Sequence, residues 1–387
     1  MANALRLAER GMHTTQPNPR VGCVLAQGAG VVGEGWHRRA GEAHAEIIAL
    51  HNAGGRARGA TAYVTLEPCG LQGRTPPCAD ALIAAGIARV VIASDDAFQR
   101  EGGAIERLRA AGVVVETGLM RDAARELNRG FFSRVERGRP WLRVKLAMSL
   151  DGRTALADGR SKWITGEAAR ADVQRWRARS SAILTGSGTV LADDPALTVR
   201  LQPLSQRERG RGEGSDEVPR RKPGDILAES SSISGTQGHE AAIAVPPLRV
   251  VLDHDLRTPA QAKVFDGSAA TLLLHAPGAR TPEPARAEFA AVESRQGRLD
   301  LDAVLRDLAR RGCNEVQVEA GPTLCGALFA AGLVDELLLY VAPVLLGDSA
   351  RPLLALPPLA DMATRWRLHV VDQRAVGSDW RLLLRPR

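Results

Sequence analysis

Three short stretches carry residue types that do chemistry together: His44-Ala45-Glu46, Glu67-Pro68-Cys69 and Pro76-Pro77-Cys78. One imidazole and two thiolates form a ligand set for zinc, and three protein ligands leave the fourth tetrahedral position for water. Zinc lowers the pKa of that water. A helix starting at His44 aims His44 and Glu46 at a common point, so Glu46, itself no ligand, can take the proton and hand it to a leaving amine. Cys78 opens a helix whose N-terminus favours a thiolate. The chemistry within reach is hydrolytic deamination, with His44, Cys69 and Cys78 on the metal and Glu46 carrying the proton. A purely structural zinc would call for a fourth protein ligand, and the sequence offers no obvious one.

The elements that must position these residues follow from periodicity and punctuation. A helix is expected over 1–12, then a hairpin of strands over 21–25 and 30–35. The 44–53 segment has helical spacing, with Ile47, Ile48 and Leu50 following Ala45. Strands are expected at 62–66, 90–93 and 113–116, and helices at 78–85, stopped by Gly86, and at 105–111, ended by Gly112. The text changes at 138–141, Gly-Arg-Pro-Trp, which reads as a linker. A second alternation follows: strands at 142–147, 181–185, 248–252, 271–275, 315–319 and 335–341, with helices at 167–178, 302–310 and 323–331. Two α/β domains are therefore expected, 1–140 and 141–387. Residues 201–247, with a mixed-charge Gly-rich run and a Ser run, hold few large apolar side chains and read as a disordered insertion in a surface loop. On that reading, deleting 205–245 leaves any activity intact.

The second half offers weaker chemical signals. Lys145 lies in an expected strand, where a lone lysine usually faces solvent. Leu184-Thr185-Gly186-Ser187-Gly188-Thr189 is a Gly-rich strand-to-turn segment suited to close backbone approach to a phosphate. Val318-Glu319-Ala320-Gly321-Pro322-Thr323 joins a strand to a helix and is a second candidate anion site. No G-x-G-x-x-G opens a helix, so a Rossmann dinucleotide site is not supported.

The deaminase signature H-x-E followed by P-C-x-x-C is stretched here, with eight residues between Cys69 and Cys78. That spacing, within Glu-Pro-Cys…Gly-Arg-Thr-Pro-Pro-Cys, resembles the riboflavin-biosynthesis deaminase/reductase family. So do Thr15-Gln16-Pro17-Asn18-Pro19-Arg20-Val21-Gly22-Cys23 and Gly33-Glu34-Gly35-Trp36-His37, and in the second half Lys145-Leu-Ala-Met-Ser-Leu-Asp-Gly. The resemblance implies a cytidine-deaminase-like domain followed by a dihydrofolate-reductase-like α/β domain. The first would remove the 2-amino group of a diaminopyrimidinone ribosyl-phosphate. The second would use NADPH to reduce the ribosyl group to a ribityl chain. The resemblance also implies substrate contacts at Asn18, His37 and Arg74 in the first domain. In the second it implies a substrate pocket of Lys145, Ser161, Trp163, Arg177, Asp193 and Arg200, with Lys145 and Asp193 catalytic. Thr165, Gly188 and Glu319 would lie on the NADPH side. Two stretches depart from the family pattern: Cys69-Gly70-Leu71 lacks the family's Cys-Ser-His imidazole, and Asp96-Ala97-Phe98 stands where Asp-Pro-Asn is usual.

The 387 residues are enough for two or three domains. A formal net charge of +7, carried almost wholly by Arg, suits small phosphorylated ligands. Without a basic stripe interleaved with aromatics, no nucleic-acid partner is expected. Five cysteines, sparse and odd in number, argue against a disulfide framework and for the cytoplasm. No apolar run is long enough to span a bilayer, and no membrane partner is expected. Assembly into a homo-oligomer is expected from the resemblance alone. The alternatives left open are a reductase whose deaminase half is a structural zinc module, a nucleoside or tRNA deaminase with an unrelated appended domain, and a non-enzymatic Arg-rich nucleic-acid binder.

Overall fold

A computed structural model describes residues 1–70, 77–97, 103–200, 245–280 and 287–387. Leu71, Arg74, Phe98 and nearly all of the 201–247 insertion lie outside the described residues.

The first half runs α1 (Ala2–Glu9), β1 (Gly22–Gln27), β2 (Gly30–Trp36), α2 (Ala45–Ala53), β3 (Thr61–Leu66), α3 (Cys78–Ala84), β4 (Arg89–Ser94), α4 (Ala104–Ala110), β5 (Val114–Thr117), α5 (Arg121–Leu127) and α6 (Arg129–Arg137). Its five-stranded sheet has the order β2-β1-β3-β4-β5. β1 is antiparallel to β2 and β3, whereas β3, β4 and β5 are parallel. Leu25, Val64, Leu82, Ile92 and Leu108 fill its core.

The second half runs β6 (Trp141–Ser149), β7 (Arg153–Ala155), α7 (Glu167–Arg179), β8 (Ala182–Gly186), α8 (Ser187–Asp193), β9 (Leu248–Leu252), β10 (Thr271–His275), β11 (Glu288–Ala291), β12 (Ser294–Arg295), β13 (Arg298–Leu299), α9 (Leu301–Arg310), β14 (Glu315–Val318), α10 (Pro322–Ala330), β15 (Glu336–Ala342), β16 (Arg351–Pro352), β17 (Leu368–Val376) and β18 (Asp379–Pro386). Nine strands form one sheet in the order β11-β10-β9-β8-β14-β6-β15-β18-β17. Seven of them are parallel, and the inner ones such as β15 are buried on both faces, so β15 reads as an unbroken run, Glu-Leu-Leu-Leu-Tyr-Val-Ala. The β17–β18 hairpin closes one edge antiparallel to β15.

The sequence reading assigned no element to α5, α6 or this hairpin, and the reason is physical. Arg129 of α6 is buried, and β17 and β18 carry Asp372, Arg374, Arg381 and Arg385, so charge interrupts the apolar stripes that mark buried faces. That charge is used. Between the two sheets, Glu315 receives Arg20 at 3.0 Å, Arg143 at 2.8 Å and Arg179 at 3.1 Å. Glu336 receives Arg143 at 2.7 Å and Arg129 at 3.1 Å. Trp176 lies under Arg143 and Arg179, and Trp141 under Arg129 and Arg385. Burial alone would raise the Glu315 pKa, but the surrounding guanidiniums hold it well below the usual carboxylate range. Ions this deeply buried persist only where pairing offsets their lost hydration.

Candidate metal centre and active cleft

Two glycines of β2 let α2 sit close to the first sheet. A Cβ at Gly35 would collide with Ala45 O, and one at Gly33 with Ala49 O. This close approach brings the start of α2 to the sheet edge, where His44 is the extended N-cap and Glu46 lies in the first turn. Cys69 follows β3, and Cys78 is the first residue of α3. The Cys78 backbone N–H donates to Cys69 Sγ at 3.1 Å, and Ala79 N–H donates to Cys69 O at 3.2 Å, locking the two cysteines together.

The His44, Cys69 and Cys78 ligand atoms all lie within 4.8 Å of one another. His44 Nδ1 is 3.2 Å from Cys78 Sγ and 3.5 Å from Cys69 Sγ. Zn–N and Zn–S bonds of about 2.0 and 2.3 Å at tetrahedral angles require N···S separations of about 3.5 Å, so the donor set fits zinc. Among the described residues no fourth donor joins the group. The thiols share a proton unequally: bonding from Cys78 pulls Cys69 down to about 4, while Cys78 is pushed up. Glu46 is buried beside them, and burial lifts its carboxyl to about 7, poised for proton transfer near neutrality.

His37 stands edge-on to His44 at 5.5 Å. Its Nδ1 contacts Ala43 O at 3.2 Å and its Nε2 contacts Asn18 Nδ2 at 3.1 Å. A carbonyl can only accept, so the ring carries its proton on Nδ1 and accepts from Asn18. Asn18, His37, His44 and Glu46 thus come together, while Arg74 lies outside the described residues. Asp96 N–H donates to Glu67 Oε2 at 3.2 Å, tying the turn after β4 to the one that carries Cys69.

A cleft of about 870 Å³ opens at the carboxyl ends of β8, β9 and β14. Lys145, Ser161, Trp163, Thr165, Arg177, Gly188, Asp193 and Glu319 all line it. Arg200 is not on its wall; it is exposed, and its backbone N–H donates to Gln174 Oε1. Arg177 and Glu319, expected on different sides of the site, form a bidentate pair at 2.7 Å through both contacts. The remaining Arg177 arm donates to Thr198 O at 2.8 Å, so each of the three guanidinium nitrogens has a partner within the protein. Burial would raise the Glu319 pKa, but Arg177 and Lys145 bring it down to about 2. Lys145 is half-buried on the cleft wall and not on the outer surface: burial lowers its ammonium pKa, and Glu319 opposes the shift. Trp163 is 71% exposed, with Arg170 over its ring at 4.8 Å.

Gly188 and Gly321 stand on the cleft wall with open space where a Cβ would be. Bare backbone of this kind fits the close approach of a nucleotide's phosphates. The wall also includes His254, Arg257 and Arg351, which the sequence reading did not single out. His254 and Arg257 follow β9 and Arg351 opens the short strand β16, none within a motif, so only the tertiary arrangement could reveal them.

A three-donor zinc site with a buried carboxylate, joined to a domain with a glycine-walled cleft, defines a zinc deaminase coupled to a nucleotide-dependent reductase. Comparison with known proteins agrees. The family model described as "Cytidine and deoxycytidylate deaminase zinc-binding region" matches residues 1–94, and that of the "RibD C-terminal domain" matches 140–382. The chain is 46% identical to the riboflavin biosynthesis protein RibD of Escherichia coli (strain K12), over 98% of this chain and 96% of that protein. It is 43% identical to RibD of Haemophilus influenzae, over 100% and 96%. A solved structure of Acinetobacter baumannii RibD aligns with a TM-score of 0.84 at 37% identity, covering 100% of this chain and 97% of that one. The chain belongs to the RibD family of bifunctional riboflavin-biosynthesis enzymes, uniting deaminase and reductase activities.

Proposed function

We propose that this chain performs two successive steps on one phosphorylated pyrimidine. Residues 1–140 deaminate 2,5-diamino-6-ribosylamino-4(3H)-pyrimidinone 5′-phosphate, and residues 141–387 then reduce its ribosyl group to a ribityl chain with NADPH. The observation that carries the reading is the convergence of His44, Cys69 and Cys78, three donors that would hold zinc, beside buried Glu46.

Zinc held by His44, Cys69 and Cys78 would supply an activated water. Glu46 takes the proton from the attacking water and returns it to the departing amine, a role matched to its raised pKa. Asn18 and His37, with Arg74, orient the pyrimidine. Bound in the cleft, NADPH would supply a hydride. Thr165, Gly188 and Glu319 line the cofactor's side, with Gly188 giving its backbone room to approach. Ser161, Trp163 and Arg177 hold the substrate, and Lys145 and Asp193 serve the reacting carbon; Arg200, off the cleft wall, is left out of this set. Arg177 is oriented for this by Glu319 and Thr198 O, which take one donor from each of its three nitrogens.

The protein works in the cytoplasm without nucleic-acid or membrane partners; no described helix is long and apolar enough to cross a membrane. It works as a homo-oligomer, a reading supported by the edge strand β17, where Val370 and Val371 are exposed.

The test supplies purified protein with the diaminopyrimidinone ribosyl-phosphate, with and without NADPH, following ammonia and NADPH oxidation separately. Ammonia without NADPH, and NADPH oxidation only once the deaminated product is present, supports the sequence of steps. NADPH oxidation on deaminated substrate, with no ammonia from the starting compound, would mean a reductase carrying a lapsed deaminase half.

A further inference from the structure

The loop over 13–20 belongs to the first sheet's half of the chain, yet much of its polar anchorage comes from the second. Gln16 Nε2 donates to Arg179 O at 2.6 Å, and Ser181 Oγ donates to Gln16 Oε1. Asn314 Nδ2 donates to Pro17 O at 2.8 Å, and Arg20 Nη1 donates to Glu315 Oε1 at 3.0 Å. Val245 N–H donates to His13 O at 3.0 Å. The same loop presents Asn18 to His37, and His37 abuts the metal ligand His44.

The anchoring residues are themselves rigidly held. Asn314 is buried, its Oδ1 accepts from Arg134 Nε at 2.7 Å, and its backbone N–H donates to Ser181 Oγ at 2.8 Å. Asn314 and Ser181 immediately precede β14 and β8, at the amino ends of these strands, whereas the cleft opens at their carboxyl ends. The second sheet therefore meets the metal centre's loop at one end and holds the reductase cleft at the other.

We infer that Asn314 and Ser181, residues of the reductase domain, are positioning residues for the deaminase site: they fix residues 16–18 and through them Asn18 and His37 beside the metal centre. This rests on the proposed reading of Asn18 and His37 as substrate contacts. Substrate-orienting groups have little positional tolerance, so freeing the loop weakens binding before it changes the proton chemistry at Glu46.

The test uses the full chain with Asn314→Asp, which keeps the shape and the acceptor for Arg134 but turns the donor toward Pro17 O into a carboxylate. Losing one buried hydrogen bond is expected to raise the KM for ammonia release about tenfold, with kcat within about threefold. Zinc content by metal analysis and reductase kcat/KM on deaminated substrate are expected to stay at wild-type values. Ser181→Ala, which removes the bond to Gln16 Oε1 but leaves Gln16 Nε2 on Arg179 O, is expected to shift KM in the same direction by about threefold. An unchanged deaminase KM overturns the inference, and so does a parallel fall in both activities, which would mean general destabilisation. Wild-type chain that releases no ammonia is a separate result: it sinks the deaminase reading itself, and the positioning role with it.

Discussion

The metal centre and the cleft solve the same problem, holding charged groups ready for chemistry, in opposite ways. The metal centre draws its ligands from one stretch, 44–78, and among the described residues it brings together three donors, a set with which a bound zinc would keep a position for water. The cleft gathers residues from Lys145 to Glu319 and satisfies them internally: Arg177 and Glu319 hold each other across 142 positions of sequence, with Lys145 nearby. A site built locally exposes its chemistry in its residue types. A site built from strand ends hides it, because the partners are decided by sheet order.

The sharpest way to break this contrast is at Glu46. Glu46→Gln keeps the side chain's size but removes proton transfer, so ammonia release should fall by roughly 10²–10⁴-fold while reductase turnover is unchanged. Stripping the metal with a chelator should mimic this, with metal analysis confirming the loss. Ammonia release surviving in Glu46→Gln would remove Glu46 from its role.

In the cleft the expected effect is on folding as much as on rate. Arg177→Leu leaves Glu319 buried without its bidentate partner and should cost about 3 kcal/mol in urea unfolding. Arg177→Leu combined with Glu319→Gln should recover part of that loss. Equal stability of the single and double variants would show that Lys145 alone satisfies Glu319.

Acidity gives a gentler probe of the same pair. Glu319 has a folded pKa of about 2, below its unfolded value of about 4.3. Its stabilising contribution is therefore complete above the unfolded pKa and is lost as pH falls from about 4.3 towards 2. Melting temperatures measured from pH 6 to 3 should drop more steeply in wild type than in Glu319→Gln. Parallel curves would count against the pairing. The smallest effect is expected from deleting 205–245, whose composition cannot support a core: both activities should persist, and loss of reductase turnover in a folded deletion variant would give the segment a function.

The parts legible in the sequence share a physical cause. His44, Glu46, Cys69 and Cys78 could be read because zinc accepts few ligand types, and because a helix start and a strand end place near neighbours predictably. The alternation of strands and helices likewise marked both α/β halves, since buried parallel strands are nearly all apolar. Helix α6 and the β17–β18 hairpin were not legible, because they bury arginines whose partners lie far away in sequence, Arg129 on Glu336 and Arg381 on Asp172. For the same reason Lys145 looked like a surface residue until the order β8-β14-β6 set it opposite Glu319. The sequence by itself determined the metal chemistry and the two-part α/β plan. Only the tertiary structure decided that Arg177 answers to Glu319, and that Asn314 and Ser181 hold the loop bearing Asn18. Residue type and local period specify what a side chain can do, but a hydrogen bond between residues more than a hundred positions apart depends on how the strands are ordered in space.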